Sequence, residues 1–205
     1  MIEVVLFDFD GVLCHDRFYK EILLPQHQEL FEWIQNNIFN NKNLFHQWMR
    51  GNINTKSINK IIAEGTGHKE DFLNDMLLKS LEKIRLDEKM FNFAKSLKEV
   101  YGKKIGIITD NMDVFSTVIV KKHKLDEVFD VIINSADYGC LKIEQNGKLF
   151  DKALSALNEK IGDCLFIDNS TQKVDFFKQK GGQGFLYNNN FEELSNLLKI
   201  NGKSN

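Results

Sequence analysis

The sequence predicts an α/β protein, a parallel sheet with helices on both faces, interrupted after its first strand by a block of helices. Three observations predict it. From residue 87 onward, short apolar runs alternate with helical patterns. A further apolar run of the same kind, "VVLF", stands alone near the start of the chain. Between about residues 16 and 86, apolar residues recur every three or four positions, the period of a helix, and no strand pattern appears. Strands alternating with helices imply parallel pairing through right-handed crossovers.

The first strand is expected over residues 2 to 8, and Gly11 then lets the chain turn. The helical block follows as "FYKEILL", "QELFEWIQNNIF", "LFHQWM", "SINKIIAE" and "DFLNDMLLKSLEKI". Gly51 and the "GTG" of 65 to 67 punctuate it, and Thr55 is expected to N-cap the helix that begins after Asn54. A helix, "EKMFNFAKSLKEV", ends at Gly102 and leads into the strand "KKIGIITD". An intervening helix closes with "KKHK", 121 to 124, read as a solvated end whose positive charge suits the helix dipole. Then come the strand "FDVIINS", the helix "GKLFDKALSALNEK", the strand "CLFIDNS" and the helix "TQKVDFFKQK". "KGGQG", 180 to 184, lacks the order of a phosphate loop and reads as a helix end turning into the strand "GFLY". The helix "FEELSNLLKI" and a short polar tail finish the chain.

Composition narrows the function classes. An apolar fraction of 42% and a charged fraction of 27% belong to a soluble globular protein. A net charge of −2 argues against broad nucleic-acid binding, and no apolar stretch approaches membrane-spanning length. Cys14, Cys140 and Cys164 form no CxxC pair, which fits reduced thiols and a cytoplasmic location. The 5 histidines lack zinc-ligand spacing.

In an open parallel sheet, ligands bind beyond the carboxyl ends of the strands. Three of these ends carry polar groups: Asp8 and Asp10, Thr109 and Asp110, Asp168 and Asn169. Lys142 lies in the loop region after "FDVIINS". Acids, a hydroxyl and a lysine on one edge suit a divalent cation and a phosphate group. Cys14 and His15, just beyond the first of these ends, read as entrance or packing residues.

Taken together, these segments resemble the haloacid dehalogenase-like hydrolases. "DFDGVL" is similar to that family's first motif, "IITD" to its second, "YGCLKIEQNGKLFDKAL" to its third and "CLFIDNSTQKV" to its fourth. The resemblance implies a Rossmann-like core of residues 1–15 and 87–205, with a helical cap domain at 16–86. It implies that Asp8 is the nucleophile, forming an aspartyl-phosphate, and that Asp10 protonates the leaving oxygen and then activates water. Thr109 and Lys142 would bind the phosphoryl group, Lys142 also steadying the nucleophile; Lys148 is the less favoured rival. Mg2+ would be held by Asp8, Asp10 and the Asp168–Asn169 pair, with either member of the pair as the direct ligand. The usual proline after Lys142 is replaced by Ile143, and one of two usual acids by Asn169.

An acid at Asp10 favours phosphoester cleavage, because an alkoxide leaves with a proton and a halide does not. The expected activity is therefore magnesium-dependent hydrolysis of a small phosphorylated metabolite, including sugar phosphates, by a monomer or homodimer. A phosphomutase, a haloacid dehalogenase and a catalytically weak binding protein are the alternatives. "FHQWMRGNIN", 45 to 54, resembles a cap segment of members acting on sugar phosphates; Trp48 and Arg50 could face substrate there, with packing the favoured role.

Overall fold

The computed structural model describes residues 2–198. Five strands, β1 (Val4–Phe7), β2 (Lys104–Thr109), β3 (Val131–Asn134), β4 (Cys164–Asp168) and β5 (Gln183–Leu186), form one parallel sheet in the order β3-β2-β1-β4-β5. The sheet reverses its winding direction around β1, which therefore lies between β2 and β4. Register aligns Phe7 with Ile107 and Ile167, so the ends of the three central strands are level. This brings three segments far apart in the chain to one edge.

Alternation along the strands explains the two layers of core. Val5 and Phe7 point to one face with Ile105, Ile107, Leu165 and Ile167, while Val4 and Leu6 point to the other with Ile108 and Phe166. The second face is covered by α10 (Lys148–Leu157) and α11 (Thr171–Gln179), where Phe150, Phe166 and Phe177 pack with ring centroids 4.8–5.4 Å apart. The first face is covered by α6 (Glu88–Glu99), α12 (Phe191–Leu198) and the segment after β2, a π-helical turn (Phe115–Ile119) running into α7 (Val120–His123). Short helices α8 (Leu125–Val128) and α9 (Ser135–Tyr138) flank β3.

Between β1 and β2 lie α1 (Lys20–Leu23), α2 (Gln28–Ile34) with a π-helical extension (Gln35–Phe39), α3 (Lys42–Met49), α4 (Thr55–Thr66) and α5 (Glu70–Lys83). Their buried stripes, including Ile34, Trp48, Ile58 and Leu77, join the apolar cluster on the first face of the sheet. The N-cap of α4 is Asn54, not Thr55: the Asn54 side chain accepts a hydrogen bond from Ser57 N at 2.9 Å. Thr55 is the first helical residue, and its hydroxyl and amide N–H both donate to Asp113 in the loop after β2. A tertiary carboxylate took the hydroxyl that sequence assigned to local capping.

The lysines of "KKHK" are exposed at the end of their helix, as expected, but Lys122 also reaches a second helix. Lys122 Nζ donates to the carbonyls of Leu81, Glu82 and Ile84 at 2.5–3.1 Å. It satisfies the carbonyl end of α5, not the end of its own helix. No helix among the described residues is long and apolar enough to cross a membrane.

Candidate active site

The chain leaves β1 still paired, since Asp8 N donates to Ile167 O at 2.8 Å. It then folds tightly on itself: the Phe9 carbonyl accepts from both Leu13 N and Cys14 N at 2.9 Å. Gly11 sits in this turn with φ +83°, and a β-carbon there would lie 2.0 Å from Asn169 Nδ2. Glycine is needed for both reasons, conformation and close approach. The turn leaves Asp8 buried at the strand end and Asp10 at the mouth of a cleft of about 740 Å3.

Asp8 Oδ1 accepts from Phe9 N at 2.7 Å and pairs with Lys142 Nζ at 2.8 Å. Its Oδ2 takes no hydrogen bond from the described residues, and Asp8 lines the cleft. Lys142 is completely buried and also pairs with Asp168 Oδ2 at 2.6 Å. Burial works against its charge, yet Asp8, Asp168 and Asp110 outweigh that and hold its pKa above the ordinary lysine value. Burial in turn raises the pKa of Asp8, opposed first by Lys142. Lys148 does not compete for this position; its ammonium bonds to Gln145 at the protein surface.

Asp10 faces the solvent of the cleft, but the surrounding walls exclude much of the water that would stabilise its charge. Burial of this kind, together with the neighbouring Asp8, pushes its pKa up to about 7, against the pull of Lys142, Lys173 and Arg17. Asn111 Nδ2 donates to Asp10 Oδ2 at 2.9 Å and fixes the carboxyl. Sequence reasoning passed over Asn111, although it stands two residues beyond Thr109 at the same strand end. Cys14 is buried beside Asp10 and its thiol is pushed up to about 12, so it is no nucleophile. His15 is exposed and pairs with Asp87 at 3.2 Å.

The two residues at the end of β4 part company. Asp168 is fully buried, with Oδ2 on Lys142 and Oδ1 accepting from Ser170 N at 2.7 Å. Asn169 is exposed, lies over Gly11 and lines the cleft with Asp8 and Asp10. Of the pair, the amide and not the carboxylate faces the cleft. Among the described residues no group of three or more His, Cys, Asp or Glu side chains could hold a metal ion. A cation there would have Asp8, the Asp10 carbonyl and the Asn169 amide oxygen, an all-oxygen set suited to a hard divalent ion but with less charge than two acids would supply.

Thr109 ends β2 fully buried beneath the cleft, and its Oγ1 has no hydrogen-bond partner among the described residues. Such a hydroxyl costs about 1–3 kcal/mol unless something pairs with it. Asp110 follows, with Oδ1 accepting from Lys142 N at 2.7 Å and Oδ2 pairing with Lys173 at 3.0 Å. Lys173 was also missed by sequence, although it falls one helical turn after Asn169 on α11.

The helices inserted after β1 furnish the opposite wall, with Gln35, Phe39, Asn40, Phe45 and His46. Trp48 and Arg50 do not face the cleft. The Trp48 indole is fully buried and donates to Asp113 at 3.0 Å, and Arg50 forms a two-point pair with Glu144. Both tie the insertion to loops of the sheet domain. A second hollow, about 840 Å3, lies where the two linkers to the insertion meet and is lined by His15, Arg85, Asp87 and Lys122 among others. None of the strand-end acids opens onto it, so it is set aside as a reaction centre.

Residues 2–181 match the family model for haloacid dehalogenase-like hydrolases. Solved structures share the fold. A predicted HAD-like family hydrolase from Porphyromonas gingivalis is 18% identical, with TM-score 0.77 over 97% of this chain and 98% of that one. A HAD family enzyme from Bacteroides thetaiotaomicron, in complex with magnesium and inorganic phosphate, is 17% identical, with TM-score 0.66 over 90% and 93%. The L-2-haloacid dehalogenase from Xanthobacter autotrophicus is 19% identical, with TM-score 0.65 over 90% and 76%. No curated protein matches at a significant level.

Proposed function

From the chain's membership of the haloacid dehalogenase-like hydrolases, we propose that it hydrolyses a small phosphorylated metabolite through an aspartyl-phosphate on Asp8. One observation carries this reading. Asp8 presents an uncommitted oxygen to the cleft while Lys142 and Phe9 N hold the other, beside an Asp10 whose pKa near 7 lets it carry a proton at neutral pH.

Asp8 Oδ2 attacks phosphorus and the bond to the substrate oxygen breaks. Asp10 gives its proton to that departing oxygen. Asp10, now a carboxylate, takes a proton from water as the water oxygen attacks phosphorus, and the bond to Asp8 breaks to release inorganic phosphate. Lys142 keeps the Asp8 carboxyl oriented through both steps and offsets its charge. The unpaired Thr109 hydroxyl is the group that would hydrogen-bond a phosphoryl oxygen.

Asp8, the Asp10 carbonyl and Asn169 would hold magnesium, which would neutralise Asp8 and the phosphoryl oxygens. The raised pKa of Asp8 fits this need, because Lys142 alone does not offset its burial. Residues 16–86 act as the cap that selects substrate over a core of 1–15 and 87–205, of which residues 1 and 199–205 lie outside the described residues, and a 740 Å3 cleft suits a small metabolite. Asp10 sets this reading apart from dehalogenation, which needs no acid for a departing halide.

The test is a screen of phosphate esters with and without magnesium, alongside Asp8→Asn. Metal-dependent release of phosphate that vanishes in the variant is expected. Turnover that survives Asp8→Asn overturns the mechanism, and halide release from a haloacid redirects it.

A further inference from the structure

The site holds two ammonium groups with different freedoms. Lys142 is sealed at 0% side-chain exposure between Asp8 and Asp168, so it cannot follow a ligand. Lys173 is 24% exposed and lines the cleft with Asp8, Asp10 and Asn169. It stands in the first turn of α11, and Asn169, in the turn before that helix, lines the same cleft. Among the described residues its ion pair is with Asp110 Oδ2 at 3.0 Å. Asp110 does not depend on that pair for its placement, because its other oxygen is held by Lys142 N.

The charges around the cleft floor make this ammonium consequential. Asp8, Asp10, Asp110 and Asp168 face Lys142 and Lys173. A phosphate dianion brought to Asp8 adds negative charge to a site already rich in it. The β4 end contributes an amide to the cleft in place of a carboxylate, which weakens its hold on a divalent cation. Lys173 is an adjustable positive charge in the cleft, beside the Arg17 guanidinium that also lines it. Its field reaches both Asp8 and Asp10, favouring their ionised forms.

We propose that Lys173 transfers from Asp110 to a non-bridging oxygen of the bound phosphoryl group, so that phosphate binds here with little help from a metal although turnover requires one. The inference rests on the phosphatase reading and deepens it. Lys173 is then a residue that touches substrate, and Asp110 is the perch that keeps it aimed when the cleft is empty.

Calorimetric titration of the full chain with inorganic phosphate, once with excess magnesium and once with EDTA, tests this. The wild type should bind phosphate in EDTA within about tenfold of its affinity in magnesium. Lys173→Met should weaken binding in EDTA by about tenfold or more, the share of one charge-assisted hydrogen bond, and Lys173→Arg should restore most of it. Asp110→Asn keeps an acceptor for Lys142 N but frees the ammonium, so its phosphate affinity should equal or exceed the wild type's.

If Lys173 only braces Asp110, both Lys173→Met and Asp110→Asn will lower the melting temperature and leave phosphate affinity unchanged, which overturns the proposal. Wild-type binding that disappears in EDTA overturns it equally. Failure to bind phosphate under either condition removes the phosphatase reading as well, so the two failures are told apart.

Discussion

Replacing Lys142 by Met removes one ammonium from between two buried carboxylates and keeps nearly the same volume. The side chains of Asp8 and Asp168 are 5% and 0% exposed. Without Lys142, Asp8 Oδ1 retains only Phe9 N, and Asp168 Oδ2 loses its hydrogen bond. Breaking a buried ion pair by removing one partner costs about 3–5 kcal/mol, because the survivor is left uncompensated. Here two survivors are left, so the upper half of that range is expected near pH 8 in the presence of a chelator. At about 2–4 °C per kcal/mol for a chain of this length, melting should fall by about 8–20 °C.

The pH dependence gives the sharper test. In the variant Asp8 loses the lowering influence of Lys142, so its folded pKa, already raised by burial, moves further above its unfolded value and the folded state binds more protons as pH falls. Stability is therefore regained on acidification, and the deficit at about pH 5.5 should be about 1–3 kcal/mol smaller than at about pH 8. Urea denaturation at the two pH values measures both quantities. A deficit below about 1 kcal/mol, or one of equal size at both pH values, would refute the assignment of Lys142 as the charge between these carboxylates.

Three further outcomes are expected. Asn169→Asp should tighten magnesium binding by about tenfold in a direct titration, and an unchanged affinity would mean that this side chain does not meet the ion. Gly11→Ala should cost about 1–2 kcal/mol from its positive φ and also weaken magnesium binding by displacing Asn169; a variant equal to wild type in melting and in metal affinity would contradict the close approach. Arg50, and then the Leu141 amide, hold Glu144 down at about 2, so the stability this pair contributes is complete above about pH 4.5 and lost as pH falls toward 2. Glu144→Gln should therefore flatten the acid limb of a stability–pH curve between those values, and an acid limb as steep as the wild type's would discount the bridge.

Much of this protein was legible in local patterns. Apolar runs ending in Asp8, Thr109 and Asp168 are short because a strand buried on both faces needs a few apolar residues before the chain emerges. The three- and four-residue spacing of the helical block followed from the stripe each helix buries. Lys142 is preferred to Lys148 from the resemblance of its segment to the third motif and from the nearness of Lys148 to a helix; the fold sets the Lys142 ammonium between Asp8 and Asp168.

Other assignments needed the tertiary structure, because they depend on which distant group arrives first. Thr55 carries a residue type suited to capping, but Asp113 claims its hydroxyl and Asn54 caps instead. Lys122 reads as a solvated helix end until the last turn of α5 is laid against it. The exchange of roles between Asp168 and Asn169 could not be seen in their order, since adjacent residues diverge by the turn that the backbone takes after the strand. Lys142 and Ser170 N draw the carboxylate inward, and the bare α-carbon of Gly11 leaves room for the amide at the cleft. Sequence alone determined which strand ends would meet and which polar residues they would carry there. Only the fold decided which side chain at each end faces the cleft, because that choice is made by contacts with residues from other segments, Lys142 for Asp168 and Gly11 for Asn169.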